Sequence, residues 1–425
     1  MNELFGGELG RVGLERVVEL AHRHLGLDVT YIVQLTSAGE VYRAAAGHVA
    51  SFNVILDGEP VATTTYCRRL VDGDIPNVIV DAAADERLAD LAKTHGAQIG
   101  AVIGVPLRLS DGRLFGALCG LSRTPRPQLD QRDVQFMSML SESSINDLDE
   151  LHSQDALRSD ILRLVELEDL KVAYQPIVAL NNDECLGIEA LARFPEPFTR
   201  PDTTLADAER FGLGLELERL VIRQAWKILP VLGPGQFLAL NVSPDALVEL
   251  ARRANQRKNL PLSQLVVEVT EHSVVDCYEA LHHELAPLRE QGLRIAVDDA
   301  GAGYASLRHV LELRPDFIKV DRWLIHGIAR DHARRVAVGA FLSLALDLGA
   351  DVVAEGVERP EDLRVAHELG LHAAQGYLLG RPTTDLEAVP RWLSSPGREK
   401  APQRRPPKRS APSSLRRQPA SARPT

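Results

Sequence analysis

Cysteine is scarce in this chain: the four residues Cys67, Cys119, Cys185 and Cys277 are far apart and form no C-x-x-C pair. This spacing argues against a disulfide framework and a thiolate zinc site, and it fits a reducing cytoplasm. The N-terminus has no basic-then-apolar signal, and the most apolar long segment, residues 336–354, contains two aspartates. We therefore predict a cytoplasmic protein without a membrane segment.

Length and composition leave the fold class open. A chain of 425 residues is long enough for two or three domains, each with its own core. An apolar fraction of 45% and a charged fraction of 25% are ordinary for soluble globular domains. Collagen-like, coiled-coil and wholly disordered classes are excluded, whereas α/β and α+β folds are not.

The net charge of −11 hides a basic C-terminal tail. Residues 396–425 carry nine Lys or Arg, one acid and seven prolines. Such a segment buries too little apolar surface to fold alone, so we predict a disordered, solvated tail. The acidic remainder would repel nucleic acid, which leaves the tail as the only candidate for such a contact.

The first part of the chain has α+β patterning. Residues 14–25 place apolar side chains on one helical face, and Gly26 follows as a stop. Residues 29–35 and 115–121 alternate as half-buried antiparallel strands, with a turn at Asp111 and Gly112 between strands. We expect a small sheet covered by a helix.

Two segments carry a family resemblance. "TTYCRRLVDGDIPNVIVDAAADERLADL" and "IGAVIGVPLRLSDGRLFGALCGLS" resemble a GAF domain over residues 12–125. The resemblance implies a small sensor fold with a ligand pocket beside an antiparallel sheet. We assign this GAF-like sensor domain to residues 1–128, and its ligand stays unknown.

Residues 129–166 are interpreted as a helical linker. Leu and Ile recur in a polar background, and no Pro or Gly occurs from 130 to 170. One or two helices are expected here. They would run along a second copy in a homodimer, or pack on their own domain as the alternative.

From Lys171 onward, a strand, a polar residue at its end and a helix recur as a unit. The polar ends are separated by 52, 27, 30, 21, 36 and 20 residues, which is typical of βα units in a (β/α)₈ barrel. In that architecture the C-terminal strand ends share one mouth. The polar ends are Glu189, Asn241, Glu268, Asp298, Lys319, Glu355 and Gln375.

Converging carboxylates need a cation, because they otherwise repel and raise one another's pKa. All candidate ligands here are oxygen donors, which favours Mg²⁺ or Mn²⁺ over zinc. Asp298 and Asp299 can both reach the mouth only where the strand ends and bends, and there they can serve two ions. Two such ions support phosphoryl chemistry, with Lys319 orienting the nucleophile or steadying the phosphate.

The same residues lie in motifs that resemble the EAL domain of bacterial cyclic-di-GMP phosphodiesterases. The tripeptide itself is Glu189-Ala190-Leu191, and we assign residues 167–395 to this domain. Further matches are "YQPIV" at 174–178, "NVS" at 241–243, "EVTE" at 268–271, "DDAGAGYASL" at 298–307, "KVD" at 319–321, "AEGVE" at 354–358 and "QGY" at 375–377.

The resemblance implies a TIM-like barrel with an irregular first strand, often dimeric, that hydrolyses cyclic-di-GMP to linear pGpG. It also implies roles for individual residues. The first metal would be held by Glu189, Asn241, Glu268 and Asp298, and the second by Asp299. Lys319 and Glu355 would handle the attacking water with support from Gln375, Glu271 would brace the loop after Asp299, and Gln175 and Arg193 would contact the substrate.

The chain departs from the common EAL pattern at three positions. The family often has Phe at 300, a small or hydroxyl residue at 302 and Ser at 305, where this chain has alanine. These changes concern a loop that is thought to couple metal binding to dimer contacts.

Our leading hypothesis is a GAF-regulated cyclic-di-GMP phosphodiesterase that forms a homodimer through the EAL domain and the linker helix. The alternatives are a catalytically silent cyclic-di-GMP receptor that signals through the linker, and a protein-interaction scaffold. A complete ligand set favours the enzyme. No GGDEF-like segment occurs, so no paired cyclase activity is expected.

Overall fold

The computed structural model describes residues 6–61, 65–88, 99–256, 261–269, 278–301 and 305–394. It divides the chain into two compact units, Met1–Arg163 and Leu164–Thr425. No helix among the described residues is long and apolar enough to cross a membrane. Glu271, Cys277, Ala302 and the predicted tail 396–425 lie outside the described residues.

The first unit contains a five-stranded antiparallel sheet with the order β2-β1-β5-β4-β3. Its strands are β1 (Val29–Leu35), β2 (Glu40–Gly47), β3 (Val78–Ile79), β4 (Ala101–Arg108) and β5 (Leu114–Ser122). Its helices are α1 (Gly6–Leu25), α2 (Tyr66–Asp72), α3 (Gln131–Ser143) and α4 (Ile145–Glu166), with 3₁₀ turns at Val49–Phe52 and Glu86–Leu88.

The helix predicted over residues 14–25 is present as the second half of α1, and Gly26 follows it at φ 59°. The strands, however, are not half-buried as expected. Both faces of β1 are covered, because one core cluster includes Ile32 with α1 and α3 residues, and another includes Tyr31 with α2 residues. The alternation of side chains along the strand suggested one buried and one solvated face, but the side chains on both faces of β1 are buried.

The stretch predicted to be a linker contains two helices. Asp130 caps α3 through a capping box with Asp133. Val134, Met137 and Leu148 belong to a core cluster of the first unit. This packing accounts for the recurring apolar residues of α3 and the start of α4, and homodimer pairing through the linker stays a prediction.

The second unit is built around a closed eight-stranded barrel with the order β10-β11-β12-β13-β6-β7-β8-β9. The strands are β6 (Lys171–Ala179), β7 (Cys185–Arg193), β8 (Phe237–Asn241), β9 (Leu265–Val269), β10 (Arg294–Ala300), β11 (Phe317–Val320), β12 (Asp351–Ala354) and β13 (Ala373–Ala374). Only β6 is antiparallel to its barrel neighbours, and the other adjacent pairs are parallel. The irregular first strand implied by the EAL resemblance is therefore present.

Helices cover the outside of the barrel, as the amphipathic stretches between the strands predicted. They are α5 (Pro201–Arg210), α6 (Gly214–Ala225), α7 (Pro244–Gln256), α8 (Tyr278–Glu290), α9 (Ala305–Leu313), α10 (Arg322–Ile325), α11 (His332–Leu348), α12 (Pro360–Leu369) and α13 (Val389–Leu393), with 3₁₀ turns at Trp226–Val231 and Leu262–Gln264.

One layer of side chains fills the barrel interior. Its buried members come from seven strands: Ile177, Phe237, Ala239, Val266, Ala296, Phe317, Val353 and Ala373. Gly187 of β7 leaves room for this layer, because a Cβ atom there would lie 2.6 Å from the Phe237 ring. Such a packed layer fixes the strand register and hence the positions of all residues that follow it.

Candidate functional site

The predicted polar residues lie one step beyond the barrel core. Side chains two apart on a strand share a face. Six of the predicted residues stand two positions after a member of the interior layer: Asn241, Glu268, Asp298, Lys319, Glu355 and Gln375. On β6, which runs the other way, Gln175 stands two positions before Ile177. The packing that builds the core thus directs these residues to one mouth.

Lys319 lies at the centre of the site. Its side chain is 2% exposed, and its Nζ lies 2.8 Å from Glu355 Oε1 and 2.9 Å from Glu268 Oε2. It also lies 3.1 Å from Asp298 Oδ1 and 3.3 Å from Glu189 Oε2. Four carboxylates, three of them on β7, β9 and β10 and one directly after β12, therefore contact one ammonium group.

The amide side chains of Asn241 and Gln375 bind the carboxylates around Lys319. Asn241 Nδ2 donates to Glu189 Oε1 at 3.0 Å and to Glu268 Oε2 at 3.3 Å. Gln375 Nε2 donates to Glu189 Oε2 at 2.6 Å and to Gln175 Oε1 at 3.0 Å. Glu189 is thereby held by three partners, and its orientation is fixed by groups on β8, on β11 and directly after β13.

A bend at the end of β10 brings the adjacent residues Asp298 and Asp299 to the site. Asp299 has a positive φ of 54°, and the pairing of β10 with β11 shifts register between Val297 and Ala300. The Asp299 amide donates to Asp298 Oδ1 at 3.0 Å. The bend brings Asp298, Asp299 and Glu355 close enough for one ligand oxygen of each to lie within 4.8 Å of the others. This agrees with the expectation that both carboxylates reach the mouth.

Burial and crowding of negative charge raise two carboxyl pKa values. Burial, then repulsion from Glu189, holds the pKa of Glu268 well above its usual range. Burial, then repulsion from Asp298, does the same for the pKa of Glu355. For Lys319, burial lowers the pKa, but the surrounding carboxylates together raise it well above the ordinary value.

The balance of charge at the barrel mouth indicates whether a divalent cation fits there. One ammonium group faces five carboxylates, those of Glu189, Glu268, Asp298, Asp299 and Glu355, so negative charge is left over. Two groups of three oxygen donors, Glu189 with Glu268 and Asp298, and Asp298 with Asp299 and Glu355, are spaced to hold an ion. Carboxylate oxygens without sulfur or imidazole suit hard divalent ions. The acidic cluster could therefore hold metal.

Two predicted site residues stand apart from this cluster. Arg193, at the end of β7, is exposed, and its Nη1 donates to Ala192 O at 2.8 Å. Among the described residues it forms no hydrogen bond or ion pair with the other predicted members. Glu271 lies outside the described residues, so its predicted role as a loop brace stays a prediction.

Sequence reasoning missed Glu218, which supports the turn after Asn241. This α6 carboxylate accepts from the Ser243 amide at 3.0 Å and from Ser243 Oγ at 2.6 Å. Ser243 Oγ in turn accepts from the Ala246 amide at the start of α7. No local signal distinguishes Glu218, because it lies in an ordinary amphipathic helix and its partner is 25 residues away.

The closed barrel and the acidic cluster at its mouth, which could hold metal, define the class as an α/β barrel protein with an acidic site. The family model of the EAL domain matches residues 156–382, more than half of the chain, and that of the GAF domain matches residues 12–146. The chain therefore belongs to the EAL domain family and carries an N-terminal GAF domain.

Relatives of known name agree with this assignment. The chain is 33% identical over 249 residues to the probable cyclic di-GMP phosphodiesterase PdeN of Escherichia coli, covering 56% of this chain and 48% of PdeN. It is 27% identical over 381 residues to the cyclic di-GMP phosphodiesterase RocR of Pseudomonas aeruginosa, covering 77% of this chain and 95% of RocR. For the first three curated relatives the chain spans less than half of their length, 48%, 43% and 41%.

A solved structure supports the fold. The EAL enzyme Bd1971 in its cAMP-bound form is 20% identical, with a TM-score of 0.52, and the match covers 87% of this chain and 93% of that chain. At this identity the likeness concerns the fold alone.

Proposed function

We propose that this protein is a metal-dependent phosphodiesterase that hydrolyses cyclic-di-GMP to linear pGpG. The observation that carries the proposal is the contact of Lys319 Nζ with four carboxylates at the ends of four strands at the barrel mouth. The names of PdeN and RocR support the choice of substrate. The family membership supports the reaction class.

The cluster would hold two Mg²⁺ or Mn²⁺ ions. Glu189, Asn241, Glu268 and Asp298 would bind the first, and Asp299 the second. When bound, such ions lower the pKa of water and stabilise the oxygens of an in-line displacement at phosphorus.

Lys319 and Glu355 would act on the attacking water. Their side chains are 2.8 Å apart, so one water molecule could contact both. Glu355 has a raised pKa, which suits a general base that accepts the proton of that water. Water oxygen then bonds to phosphorus, and the bond from phosphorus to one ribose 3′ oxygen breaks. That oxygen leaves as a 3′ hydroxyl with the proton that Glu355 took from water, and the cyclic dinucleotide opens to 5′-phosphorylated pGpG.

The remaining predicted residues would contact the substrate or hold the carboxylates around Lys319 in place. Gln375 keeps Glu189 and Gln175 in place through its Nε2. Gln175 also donates to Gly380 O at 2.9 Å, which ties it to the loop after β13. Arg193, exposed beyond Glu189 on the same strand, is free to turn toward a phosphate of the dinucleotide.

A hydrolysis assay tests the proposal. We expect the purified full chain to convert cyclic-di-GMP to pGpG with Mg²⁺ or Mn²⁺, and to lose this activity in EDTA. Glu189→Ala should abolish turnover, whereas Glu184→Ala, in the turn before β7, should leave it unchanged. Binding of the dinucleotide without cleavage in both metals would identify the protein as a silent receptor, and absence of binding would leave only the scaffold hypothesis.

We also propose that the GAF domain regulates the barrel. Helix α4 continues past Arg163, the last residue of the first unit, so a change in the first unit has a continuous element to act through. A variant that lacks residues 1–144 keeps α4 whole. A changed turnover rate in that variant supports regulation, and an unchanged rate contradicts it.

The homodimer predicted through the EAL domain and linker helix is part of the same proposal. Exposed apolar side chains on α11, Val336 at 59% and Leu346 at 66%, offer a surface for a second copy. Sedimentation equilibrium of the full chain and of Leu346→Glu measures the state directly. A monomer at micromolar concentration would contradict the prediction.

A further inference from the structure

Two thiols in the first unit touch each other through their sulfur atoms. Cys67 lies on α2 and Cys119 on β5, and their Sγ atoms are 2.8 Å apart across a sequence separation of 52 residues. Both residues are buried, at 1% and 0% exposure. Nothing in the barrel or in its proposed reaction uses this pair.

The sulfur pair lies beside a glycine and a tyrosine. A Cβ atom at Gly104 of β4 would lie 2.8 Å from Leu70 Cδ1 and 3.0 Å from Cys119 Sγ, so a larger residue there would crowd both side chains. Tyr31 Oη lies 3.3 Å from Cys67 Sγ. Both cysteines belong to an apolar core cluster of the first unit, where a buried cysteine behaves as a small hydrophobe, and in addition their sulfur atoms are in direct contact.

Cys185 in the barrel shows the contrast. It is buried as well, but its Sγ donates to Gly187 O at 3.2 Å, and burial raises its pKa to about 11. Among the described residues it has no sulfur neighbour. It therefore serves as a matched control for thiol burial.

We propose that Cys67 and Cys119 are a redox modification site, a dithiol that hydrogen peroxide oxidises to an intramolecular disulfide. A disulfide bond is about 2.05 Å long, so the sulfur atoms need to approach by less than about 1 Å. Deep burial selects a small uncharged oxidant over a bulky disulfide reagent. The assignment is independent of the reaction proposed for the barrel.

The step balances with peroxide as the only co-reactant. Cys67 sulfur attacks one peroxide oxygen, the O–O bond breaks, and the thiol proton leaves with the other oxygen as water, which gives a sulfenic acid. Cys119 sulfur then attacks Cys67 sulfur, the S–O bond breaks, and the Cys119 proton leaves with that oxygen as a second water. Two thiols are oxidised and one peroxide is reduced. Burial, then the hydrogen bond with Cys67, raises the pKa of Cys119.

The test treats the native full chain with hydrogen peroxide, then unfolds it in an alkylating reagent and measures its intact mass. The untreated chain should take up four alkyl groups, one for each cysteine. The treated chain should take up two, lose two hydrogen atoms, and yield a peptide that joins Cys67 to Cys119. Dithiothreitol should restore all four.

Variants separate this pair from the other thiols. Cys185→Ser should still form the bond, whereas Cys67→Ser and Cys119→Ser should not. The bond closes a long loop, so oxidation should raise the melting temperature of the wild type and Cys185→Ser by several degrees, and leave Cys67→Ser unshifted.

Three results would overturn the proposal. They are uptake of four alkyl groups after peroxide, addition of oxygen without loss of thiol pairs, and a disulfide peptide that contains Cys185 or Cys277. If a serine variant fails to fold, the peptide map of the wild type and of Cys185→Ser still decides the question.

Discussion

At the scale of single residues, Lys319 balances the charge of the site. Its Nζ contacts four carboxylates, and its side chain is 2% exposed. Removing one partner of a buried ion network leaves uncompensated charge, which typically costs about 3–5 kcal/mol. The residue therefore contributes to stability as well as to the proposed chemistry.

We expect Lys319→Met to lower turnover by at least ~100-fold, because positioned proton-handling groups typically contribute about 10²–10⁴-fold. In EDTA its free energy of unfolding should fall by roughly 3 kcal/mol, and Mn²⁺ should recover part of that loss. Urea unfolding and the hydrolysis assay measure both effects. Lys171→Met, at the exposed start of β6, is the control; equal behaviour of the two variants would contradict the assigned role.

The raised carboxyl pKa values predict a pH dependence in metal-free protein. The folded pKa values of Glu268 and Glu355 lie above the ordinary Glu value of about 4.3. The folded state therefore binds these protons more tightly than the unfolded state. The resulting stability is present below about pH 4.3 and is lost as pH rises toward the folded values.

In EDTA the melting temperature should therefore decline as pH rises above about 5. Glu355→Gln removes one of the two groups and should make the decline shallower. Glu361→Gln, on α12 with an exposed partner Arg330, should not change it. The same slope in Glu355→Gln and the wild type would show that this carboxyl does not titrate as described.

At the scale of elements, the strand ends could be predicted from the sequence because they repeat a simple pattern. Glu268, Asp298 and Lys319 each end a short apolar run, and parallel strands end at one mouth. The family resemblance implied only an irregular first strand, and the antiparallel direction of β6 was not predicted. Glu218 was missed because its contact with Ser243 depends on how α6 packs beside the end of β8, which local patterns do not encode.

Burial on the two faces of the GAF sheet shows the same limit. The alternation of Val29, Tyr31 and Val33 correctly grouped these residues in one cluster. It could not show that Ile32, on the opposite face, is covered as well, because that cover comes from α1 and α3. Alternation reports which residues share a face, whereas tertiary packing decides whether the other face is solvated.

The turn between β8 and α7 is held by Glu218, and this contact leads to a prediction about metal binding. Burial, opposed by the two bonds from Ser243, raises the pKa of Glu218, and among the described residues this carboxylate has no ion-pair partner. A buried carboxylate without a cation costs stability. We therefore expect Glu218 to contribute by fixing the turn that orients Asn241. Groups that support metal ligands typically change metal affinity or activity by about 10–100-fold when removed.

Glu218→Ala should therefore weaken Mn²⁺ binding by about 10-fold or more, measured by isothermal titration, with a smaller effect on the melting temperature. Glu218→Gln can accept only one of the two bonds and should lie between the wild type and Glu218→Ala. Glu216→Gln, two residues away and exposed, is the matched control. Unchanged Mn²⁺ affinity in Glu218→Ala would limit this residue to a structural role.

At the scale of the whole molecule, the chain contains cores that belong to separate units. Two apolar clusters lie in the first unit and the barrel interior layer lies in the second. Each unit buries its own core, so we expect calorimetry of the full chain to resolve two unfolding transitions. A ligand raises the stability of the unit that binds it, by about 2.7 kcal/mol at 100 times its Kd.

Two perturbations should therefore move different transitions. Leu118→Ala removes a fully buried side chain of the first unit, and such a cavity typically costs about 2–5 kcal/mol. This variant should lower one transition only. Mn²⁺ should raise the other, and Asp298→Ala should abolish that rise without moving the transition that Leu118→Ala lowers. A single transition that shifts as a whole under both perturbations would mean that the two units unfold as one cooperative structure, so that metal binding in the barrel would also stabilise the GAF domain.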